Sequence, residues 1–303
     1  MEWMASLKTA VNYMEGHLLE DIQAEDVAAA VHMSPFYLQK GFRILTGYSI
    51  GGYIRCRRLY LAALELCAGS EIKVIDLAAK YGYDTPDSFT KAFRRFHGVT
   101  PAQMRKDHCG LRPFLPLKIT IQVQGGSNVD VTVERMKGFQ VIGFSHTVCL
   151  DSAYGAVPEL WDAFQKRYMD GLPKSDAING VEEAICRCGV GEFGICIEEG
   201  GRSGAFRYLI AGTYRGGPVP PGMELYTIPE MEWAKFRCLG PMPGALQAVN
   251  TKIFREWLPG NADYEIAAGL NVEWYSRGDM TAPDYESEIW VPVARKNKEG
   301  KYL

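Results

Sequence analysis

The sequence predicts two domains: an all-α domain made of two similar helical units, then an α+β domain made of two similar modules. Three observations lead to this prediction. The chain has 303 residues, about twice the length of a typical domain of roughly 150 residues. A segment within the first hundred residues is repeated. After residue 129 the apolar residues change from helical spacing to alternation.

The composition is that of a folded protein that stays in water. Hydrophobic residues make up 47% and charged residues 23% of the chain, which excludes disordered, collagen-like and coiled-coil chains. The N-terminal residues carry acids and no basic region followed by an apolar run, and no uncharged apolar stretch reaches the roughly 18 residues of a membrane span. With eight cysteines and no export signal, we expect reduced thiols, a cytoplasmic location and no membrane partner.

Charge is distributed unevenly along the chain. Residues 1–106 hold 13 Lys and Arg against 11 Asp and Glu, whereas the remainder holds 20 against 25. Within the first part, residues 40–64 and residues 88–106 each contain five basic side chains and no acid. Two acid-free basic segments suggest contacts with a polyanion, although either one alone is as well explained by a solvated helix face.

The repeat aligns VAAAVHMSPFYLQKGFRILTGYS (27–49) with LAAKYGYDTPDSFTKAFRRFHGVT (77–100). Each copy predicts a short Ala-rich helix, a break of three or four residues and a second helix. Ser34 before a proline is a helix-start signal, which residues 84–86 repeat. Gly47 and Gly98 end the second helices as left-handed caps.

Each second helix has one apolar face and one polar, basic face. A short helix, a tight turn and a basic second helix form the helix-turn-helix geometry that places side chains against base edges in the major groove of duplex DNA. The alternative is a helical bundle whose basic faces have no role. The polar faces carry Tyr37, Gln39, Lys40 and Arg43 in the first copy, and Asp87, Ser88, Lys91, Arg94 and Arg95 in the second.

These residues bring out a resemblance to a known family. Residues 12–106 resemble the DNA-binding domain of the AraC/XylS class of transcription regulators. Residues 53–66 look like its connecting helix, and residues 75–106 are similar to its signature, with the Ala, Gly-Tyr, Phe-x-x-x-Phe-Arg and Gly-x-x-Pro elements in place. Gly41 inside the first recognition helix and Met104 in place of a usual Tyr are departures from the family pattern.

The resemblance implies two helix-turn-helix units joined by one long helix, which read adjacent major-groove segments of double-stranded DNA. It also implies RNA polymerase as a further partner. By their chemistry, Gln39 suits adenine, Lys40 and Lys91 suit guanine or phosphate, and Asp87 either accepts from cytosine or, as we favour, caps its helix. The residues that match the family's reading faces are Phe36, Tyr37, Gln39 and Lys40 in the first unit, and Pro86, Asp87, Ser88, Thr90 and Lys91 in the second.

The second half follows a predicted linker over residues 107–129, which contains two prolines, a Gly-Gly-Ser-Asn cluster and room for one strand. Two copies of a strand, helix, strand, strand order predict an α+β domain at residues 130–303, with internal pseudo-symmetry and a groove where the halves meet. The predicted strands are 129–135, 139–147, 186–198, 206–214, 225–228, 233–239, 264–275 and 287–293, and the predicted helices are 158–169 and 244–258.

This half resembles the gyrase-inhibitor-like effector domain that also occurs in Rob-like, multidrug-sensing regulators. The resemblance rests on residues 133–147, 268–278 and 286–293, in the family's order and spacing. It completes the predicted fold class: a multidomain chain with an all-α double helix-turn-helix domain at residues 1–106, then an α+β pseudo-symmetric ligand-binding domain. The implied partner is a small-molecule effector.

In the related multidrug-sensing domains, aromatic walls and a buried glutamate form the pocket. A lipophilic cation loses hydration on entering an apolar cavity, and a carboxylate together with aromatic faces offsets part of that cost. Because strand neighbours point to opposite faces, Glu273 and Tyr275 share one face while Trp274 takes the other. The main candidate for the ligand site is Glu273, and the further candidates are Glu288, Trp161, Tyr208, Trp233 and Tyr275. The alternatives without a role in ligand binding are a solvent-facing position for Glu273 and a position in the core for Trp161.

Metal and catalytic motifs are weak. Cys186 and Cys188 would share one face of a strand, but no second pair of zinc ligands has suitable spacing, and no nucleophile elbow or phosphate loop occurs. We therefore expect no metal, no cofactor and no enzymatic activity. Two alternatives stay open: a hydrolase in which a pocket glutamate acts as general base, and a second half that serves only for oligomerisation.

Overall fold

The computed structural model describes residues 2–68, 72–119, 129–150, 152–170, 180–199 and 204–296. The chain divides into two compact units, Glu2–Val123 and Gln124–Leu303. No helix within the described ranges is long and apolar enough to cross a membrane. The helices of the first unit are α1 (Glu2–Gly16), α2 (Ala24–Ala30), α3 (Pro35–Thr46), α4 (Ile50–Cys67), α5 (Val74–Lys80), α6 (Pro86–His97) and α7 (Pro101–Asp107).

The helix-turn-helix pairs are α2 with α3 and α5 with α6, and the predicted caps are confirmed. The Ser34 side chain accepts a hydrogen bond from the backbone N–H of the third residue of α3. Gly47 and Gly98 end α3 and α6 with φ of 78° and 86°, in the left-handed region that glycine adopts readily. The Thr85 side chain caps α6, and Asp87 lies in the first turn of that helix, where its charge complements the helix dipole as we favoured.

Aromatic and aliphatic side chains of the second helix-turn-helix unit pack on the long helix α4. Phe89 and Phe93 from α6 are fully buried in one cluster with Leu59 and Leu66 from α4. In the first helix-turn-helix unit, Leu38 and Phe42 of α3 are likewise buried. The predicted apolar faces of the two recognition helices therefore form the core, and this arrangement directs their opposite faces outward.

The second unit contains one antiparallel sheet with the strand order β1-β6-β9-β8-β3-β4-β2-β5, and β7 pairs with β9. Each half places its helices between two pairs of strands, and the second half has β7 as a further strand. This arrangement confirms the predicted α+β class and its pseudo-symmetry, but it corrects the predicted strand, helix, strand, strand order, because two strands precede the helices in each half. Its elements are β1 (Val131–Met136), β2 (Phe139–Cys149), α8 (Ala153–Phe164), α9 (Gly180–Cys188), β3 (Phe193–Ile197), β4 (Ala205–Thr213), β5 (Glu224–Ile228), β6 (Met231–Leu239), α10 (Gly244–Lys252), α11 (Leu258–Gly260), β7 (Tyr264–Ile266), β8 (Leu270–Tyr275) and β9 (Glu286–Arg295).

Two predictions for this unit are corrected. Cys186 and Cys188 lie on α9 rather than on a strand. Ala184, Ile185 and Cys188 are the buried positions of this segment, which is helical spacing. The predicted strand 264–275 is interrupted between β7 and β8.

The register of the central strands sets which side chains share a face. Glu273 on β8 pairs with Gly194 on β3 and with Ile289 on β9, whereas Trp274 pairs with Phe193 and Glu288. Because side chains alternate along a strand, Glu273 and Trp274 project from opposite faces of the sheet. The face with Trp274 carries the large hydrophobic cluster of this unit.

Candidate functional site

Four side chains from three elements meet on the face that carries Glu273. The carboxylate oxygen Oε2 of Glu273 accepts hydrogen bonds from the hydroxyls of Tyr208 and Tyr275, each over 2.8 Å. The indole N–H of Trp161, on α8, donates to the Tyr208 hydroxyl over 2.8 Å. The rings of Trp161 and Tyr275 meet edge to face with centroids 4.8 Å apart. We call Trp161, Tyr208, Glu273 and Tyr275 the Glu273 cluster.

The cluster holds an acid among aromatic side chains. Tyr208 and Tyr275 are buried and Glu273 is half-buried. Burial and, after it, the negative charge of Glu273 raise the pKa of both tyrosines well above its usual range. Both hydroxyls therefore stay protonated and act as donors to the carboxylate, which gives a half-buried charge the hydrogen bonds it needs.

Gly194 makes room for this arrangement. A Cβ at this position would lie 2.1 Å from the Tyr208 hydroxyl oxygen and 2.9 Å from Oε2 of Glu273. Only glycine fits beneath the two groups without moving them. Gly194 was not among the site residues predicted from the sequence, although a glycine inside an apolar strand is a signal of close approach by another group.

Further aromatic side chains lie beside the cluster. The Phe144 and Tyr168 rings stack with centroids 4.9 Å apart, and Phe164 contacts both of them and Trp161. His146 pairs with Tyr208 in the register of β2 and β4, so it shares that face. Burial lowers the pKa of His146, which favours its neutral form beside the site.

Two candidates lie elsewhere. Trp233 is fully buried in the hydrophobic cluster of the opposite face, where its ring packs 6.3 Å from that of Trp290. Glu288 accepts a hydrogen bond from the Trp290 indole over 2.6 Å on that same face. The prediction that these two join Glu273 in one site is corrected, because the β8–β9 register places Glu288 opposite Trp274.

The surface predicted to read DNA is present in part. On α6, the exposed residues are Asp87, Ser88, Lys91, Arg94 and Arg95, and Pro86 and Thr90 are half-buried. On α3, Gln39, Lys40 and Arg43 are half-buried. Lys91 pairs with Asp87 over 2.8 Å across one helical turn.

Phe36 and Tyr37 are 2% and 1% exposed, so their predicted place on the reading face is wrong. Both stand in the first turn of α3, where their rings pack edge to face at 5.2 Å. Lys40 covers the Phe36 ring, with its Nζ 5.5 Å from the centroid. The apolar character of these rings is thus used for packing at the turn rather than for contact with bases.

Part of the basic segment 40–64 also serves the fold. Arg57 is 5% exposed and forms a two-pronged ion pair with Glu15 of α1. Arg58 donates to the backbone carbonyls of Leu18 and Glu20. These two guanidinium groups join α4 to the end of α1 and are not part of the surface for a polyanion.

No group of three or more His, Cys, Asp or Glu within the described ranges can hold a metal ion. The Glu273 cluster supplies one carboxylate among aromatic rings. This arrangement suits a cationic or aromatic organic molecule, which cation–π and ion-pair contacts stabilise.

Comparisons with known proteins identify a family model for each of the two parts of the chain. Residues 130–294, more than half of it, match the family model described as a GyrI-like small molecule binding domain, and residues 27–107 match one described as a helix-turn-helix domain. The chain therefore belongs to the GyrI-like small molecule binding family and carries an AraC-type helix-turn-helix domain in front of that domain.

Two of the proteins that the chain resembles are regulatory proteins. It is 34% identical over 121 residues to the transcriptional regulator Rob of Salmonella typhimurium, a match that covers 39% of this chain and 42% of Rob. It is 35% identical over 99 residues to the regulatory protein SoxS of the same organism, covering 33% of this chain and 92% of SoxS. Among solved structures, SAV2435 bound to tetraphenylphosphonium matches 55% of this chain and 94% of its own, with 20% identity and a TM-score of 0.44. The chain thus spans less than half the length of Rob.

Proposed function

We propose that the protein is a transcriptional regulator that binds duplex DNA through α3 and α6 and senses an aromatic cation at the Glu273 cluster. The observation that carries the proposal is the convergence of two buried tyrosine hydroxyls on one oxygen of Glu273. This carboxylate has donors that hold it in place and aromatic rings around it. It is suited to act as the counter-charge of a cation that has left water.

The polar face of α6 supports the DNA-binding part. Lys91, Arg94 and Arg95 are exposed on the face opposite to Phe89 and Phe93. A helix that follows a tight turn and presents basic side chains in this way fits the major groove. Arg94 and Arg95 match phosphates or guanine, and Gln39 on α3 matches adenine.

The further parts of the proposal concern partners and place. A regulator bound near a promoter meets RNA polymerase, so we propose RNA polymerase as a protein partner and the cytoplasm as the place of action. We propose no enzymatic role. A panel of ligands tested for turnover distinguishes saturable binding from the hydrolase alternative. Gel filtration with and without the second half tests whether that half serves for oligomerisation.

The test measures both activities on one protein. A duplex is selected from a random pool with the full chain, and its affinity is measured by fluorescence anisotropy with and without tetraphenylphosphonium, for the wild type and for Glu273→Gln. We expect the cation to change the DNA affinity of the wild type about 5-fold or more, and that of the variant less than about 2-fold. A folded wild type that binds no duplex at low salt would refute the DNA-binding part. A bound cation without any effect on DNA affinity would refute the sensing part.

A further inference from the structure

The segment that follows α7 packs along the first unit. We call residues 108–119 the clamp. The backbone N–H of Leu117 donates to the Tyr53 hydroxyl over 3.2 Å, and Arg57 donates to the backbone carbonyl of Phe114. Tyr53 and Arg57 both belong to α4, the helix that joins the two helix-turn-helix units. The clamp is therefore fixed to the connecting helix at two points of its backbone.

One ring of the clamp contacts both helix-turn-helix units. The Phe114 ring lies edge to face with Tyr48, which follows α3, at a centroid distance of 5.2 Å. It also lies edge to face with Phe96 of α6 at 6.0 Å, and it contacts Tyr53 at 5.9 Å. Phe114 thus bridges the end of the first recognition helix and the second recognition helix.

Arg112 fixes the clamp to α6 a second time. Its backbone N–H donates to Nδ1 of His97 over 3.1 Å, and its guanidinium lies 5.4 Å from the Phe96 ring centroid. Because Nδ1 of His97 accepts this bond, its Nε2 carries the hydrogen and donates to the backbone carbonyl of Leu59 over 3.1 Å. The buried imidazole thereby links the clamp, α6 and α4.

The α4 end of the clamp is held by an interior ion pair. Arg57 contacts Glu15 through two hydrogen bonds of 2.8 Å, and the Tyr53 hydroxyl donates to the same carboxylate over 2.6 Å. Another N–H of the Arg57 guanidinium donates to the backbone carbonyl of Phe114 in the clamp. A buried ion pair requires such extra hydrogen bonds to offset its desolvation. The clamp thus lies on the surface of the first unit, where the half-buried Phe114 and Leu117 connect it to this ion pair and to Tyr53.

We propose that the clamp fixes the angle between the two helix-turn-helix units, with Phe114 as the positioning residue. This inference rests on the proposed DNA-binding function. A protein that reads two adjacent groove segments binds more tightly when both readers are already in place, since no ordering is required on binding. A rigid pair also accepts only one spacing between the two half-sites.

The test compares two neighbouring positions in the full chain. Phe114→Ala removes the bridging ring, and Leu115→Ala is the matched control, because Leu115 is 68% exposed. Hydrogen exchange of the peptide that covers residues 110–118 reports whether the clamp is released. Affinity is measured for the selected duplex and for the same duplex with one base pair inserted at the centre of the protected region.

We expect the wild type and Leu115→Ala to lose about 10-fold or more of their affinity on insertion, close to the cost of one mismatched position. Phe114→Ala should bind the original duplex more weakly and lose less than about 3-fold on insertion. If Phe114→Ala does not fold, Tyr48→Ala tests the same point. This variant removes only the contact of Phe114 to the first helix-turn-helix unit, and we expect the same loss of spacing discrimination. Faster hydrogen exchange of residues 110–118 in Phe114→Ala, without any change in the discrimination between the two duplexes, would overturn the positioning role of Phe114. A wild type that binds no duplex would refute the proposed function itself, and the clamp's role with it.

Discussion

Tyr208 and Tyr275 donate their hydroxyl hydrogens to the same oxygen of Glu273, each over 2.8 Å. The two tyrosines come from strands that are separated by β3 in the sheet. Gly194 on β3 has no side chain to separate them. The position of the carboxylate is therefore set by three strands together, and this dependence makes the site testable from several directions.

Gly194→Ala should disturb the Glu273 cluster. The new Cβ would overlap the Tyr208 hydroxyl and approach Glu273. We expect a loss of about 1–3 kcal/mol in stability, the usual cost of overpacking, and weaker binding of an aromatic cation. Chemical denaturation and calorimetry measure the two effects.

The matched control is Gly155→Ala. Gly155 lies within α8 and has no atom within 4 Å of an added Cβ. This substitution should stabilise the chain by about 0.4–1 kcal/mol, because alanine restricts the unfolded chain. Equal effects at Gly155 and Gly194 would contradict the close-approach explanation.

Arg57→Met should strongly destabilise the first unit. It leaves the carboxylate of Glu15 without its interior cation, and breaking a buried ion pair costs about 3–5 kcal/mol. Lys91→Met breaks the pair of Lys91 with Asp87, whose side chains are 74% and 76% exposed, and should leave the unfolding transition of this unit unchanged. Similar small losses for both variants would mean that the Glu15 pair contributes no more than a surface pair.

The stability of the first unit should decrease as the pH falls below about 6.5, the ordinary pKa of histidine. Burial, with a contribution from the charge of Arg112, lowers the pKa of His97 in the folded state. Below that pH, His97 is protonated in the unfolded chain but stays neutral in the folded protein. Protonation therefore favours unfolding until the pH reaches the lower pKa of folded His97. His146, in the second unit, shifts in the same direction.

Denaturation curves of the first unit between pH 7.5 and pH 5 check this prediction. His97→Gln should flatten the decrease, because glutamine does not titrate. His32→Asn, at an exposed position whose φ of 53° asparagine tolerates, is the control and should leave the slope unchanged. An identical slope for the wild type and His97→Gln would contradict the assignment.

Arg94→Ala and Gln39→Ala should separate affinity from specificity. Arg94 is exposed on α6, and its loss should weaken binding to all sequences alike and reduce the slope of log K against log salt by about 1. Gln39→Ala should instead relax the preference at one base position, which a selection from a random pool detects. A flat salt response of the folded wild type would contradict DNA binding by these helices.

The sequence predicted the parts of the fold that depend on local signals. Ser34, Gly47 and Gly98 mark helix ends through backbone chemistry that is independent of the rest of the chain, and the period of two along β8 places Glu273 and Tyr275 on one face. The position of Glu288 required the register between β8 and β9, which is a tertiary property.

The prediction for Phe36 and Tyr37 failed for the same reason, because their burial is a tertiary property. The family resemblance implied that Phe36 lies on the reading face with Lys40, but the packing at the start of α3 covers its ring. The helix at Cys186 was missed for another reason: its buried positions do have helical spacing, but they run into a fully apolar strand after residue 192, and the whole segment resembles a strand.

The role of Glu273 as a counter-charge is tested most directly by calorimetric titration of the wild type and of Glu273→Gln with tetraphenylphosphonium and with the neutral triphenylphosphine oxide. The substitution keeps the shape of the side chain and removes its charge. We expect the substitution to weaken binding of the cation by about 2–5 kcal/mol and binding of the neutral compound by far less. Equal losses for both compounds would show that Glu273 only supports the pocket, and no loss for either would contradict its role as the counter-charge.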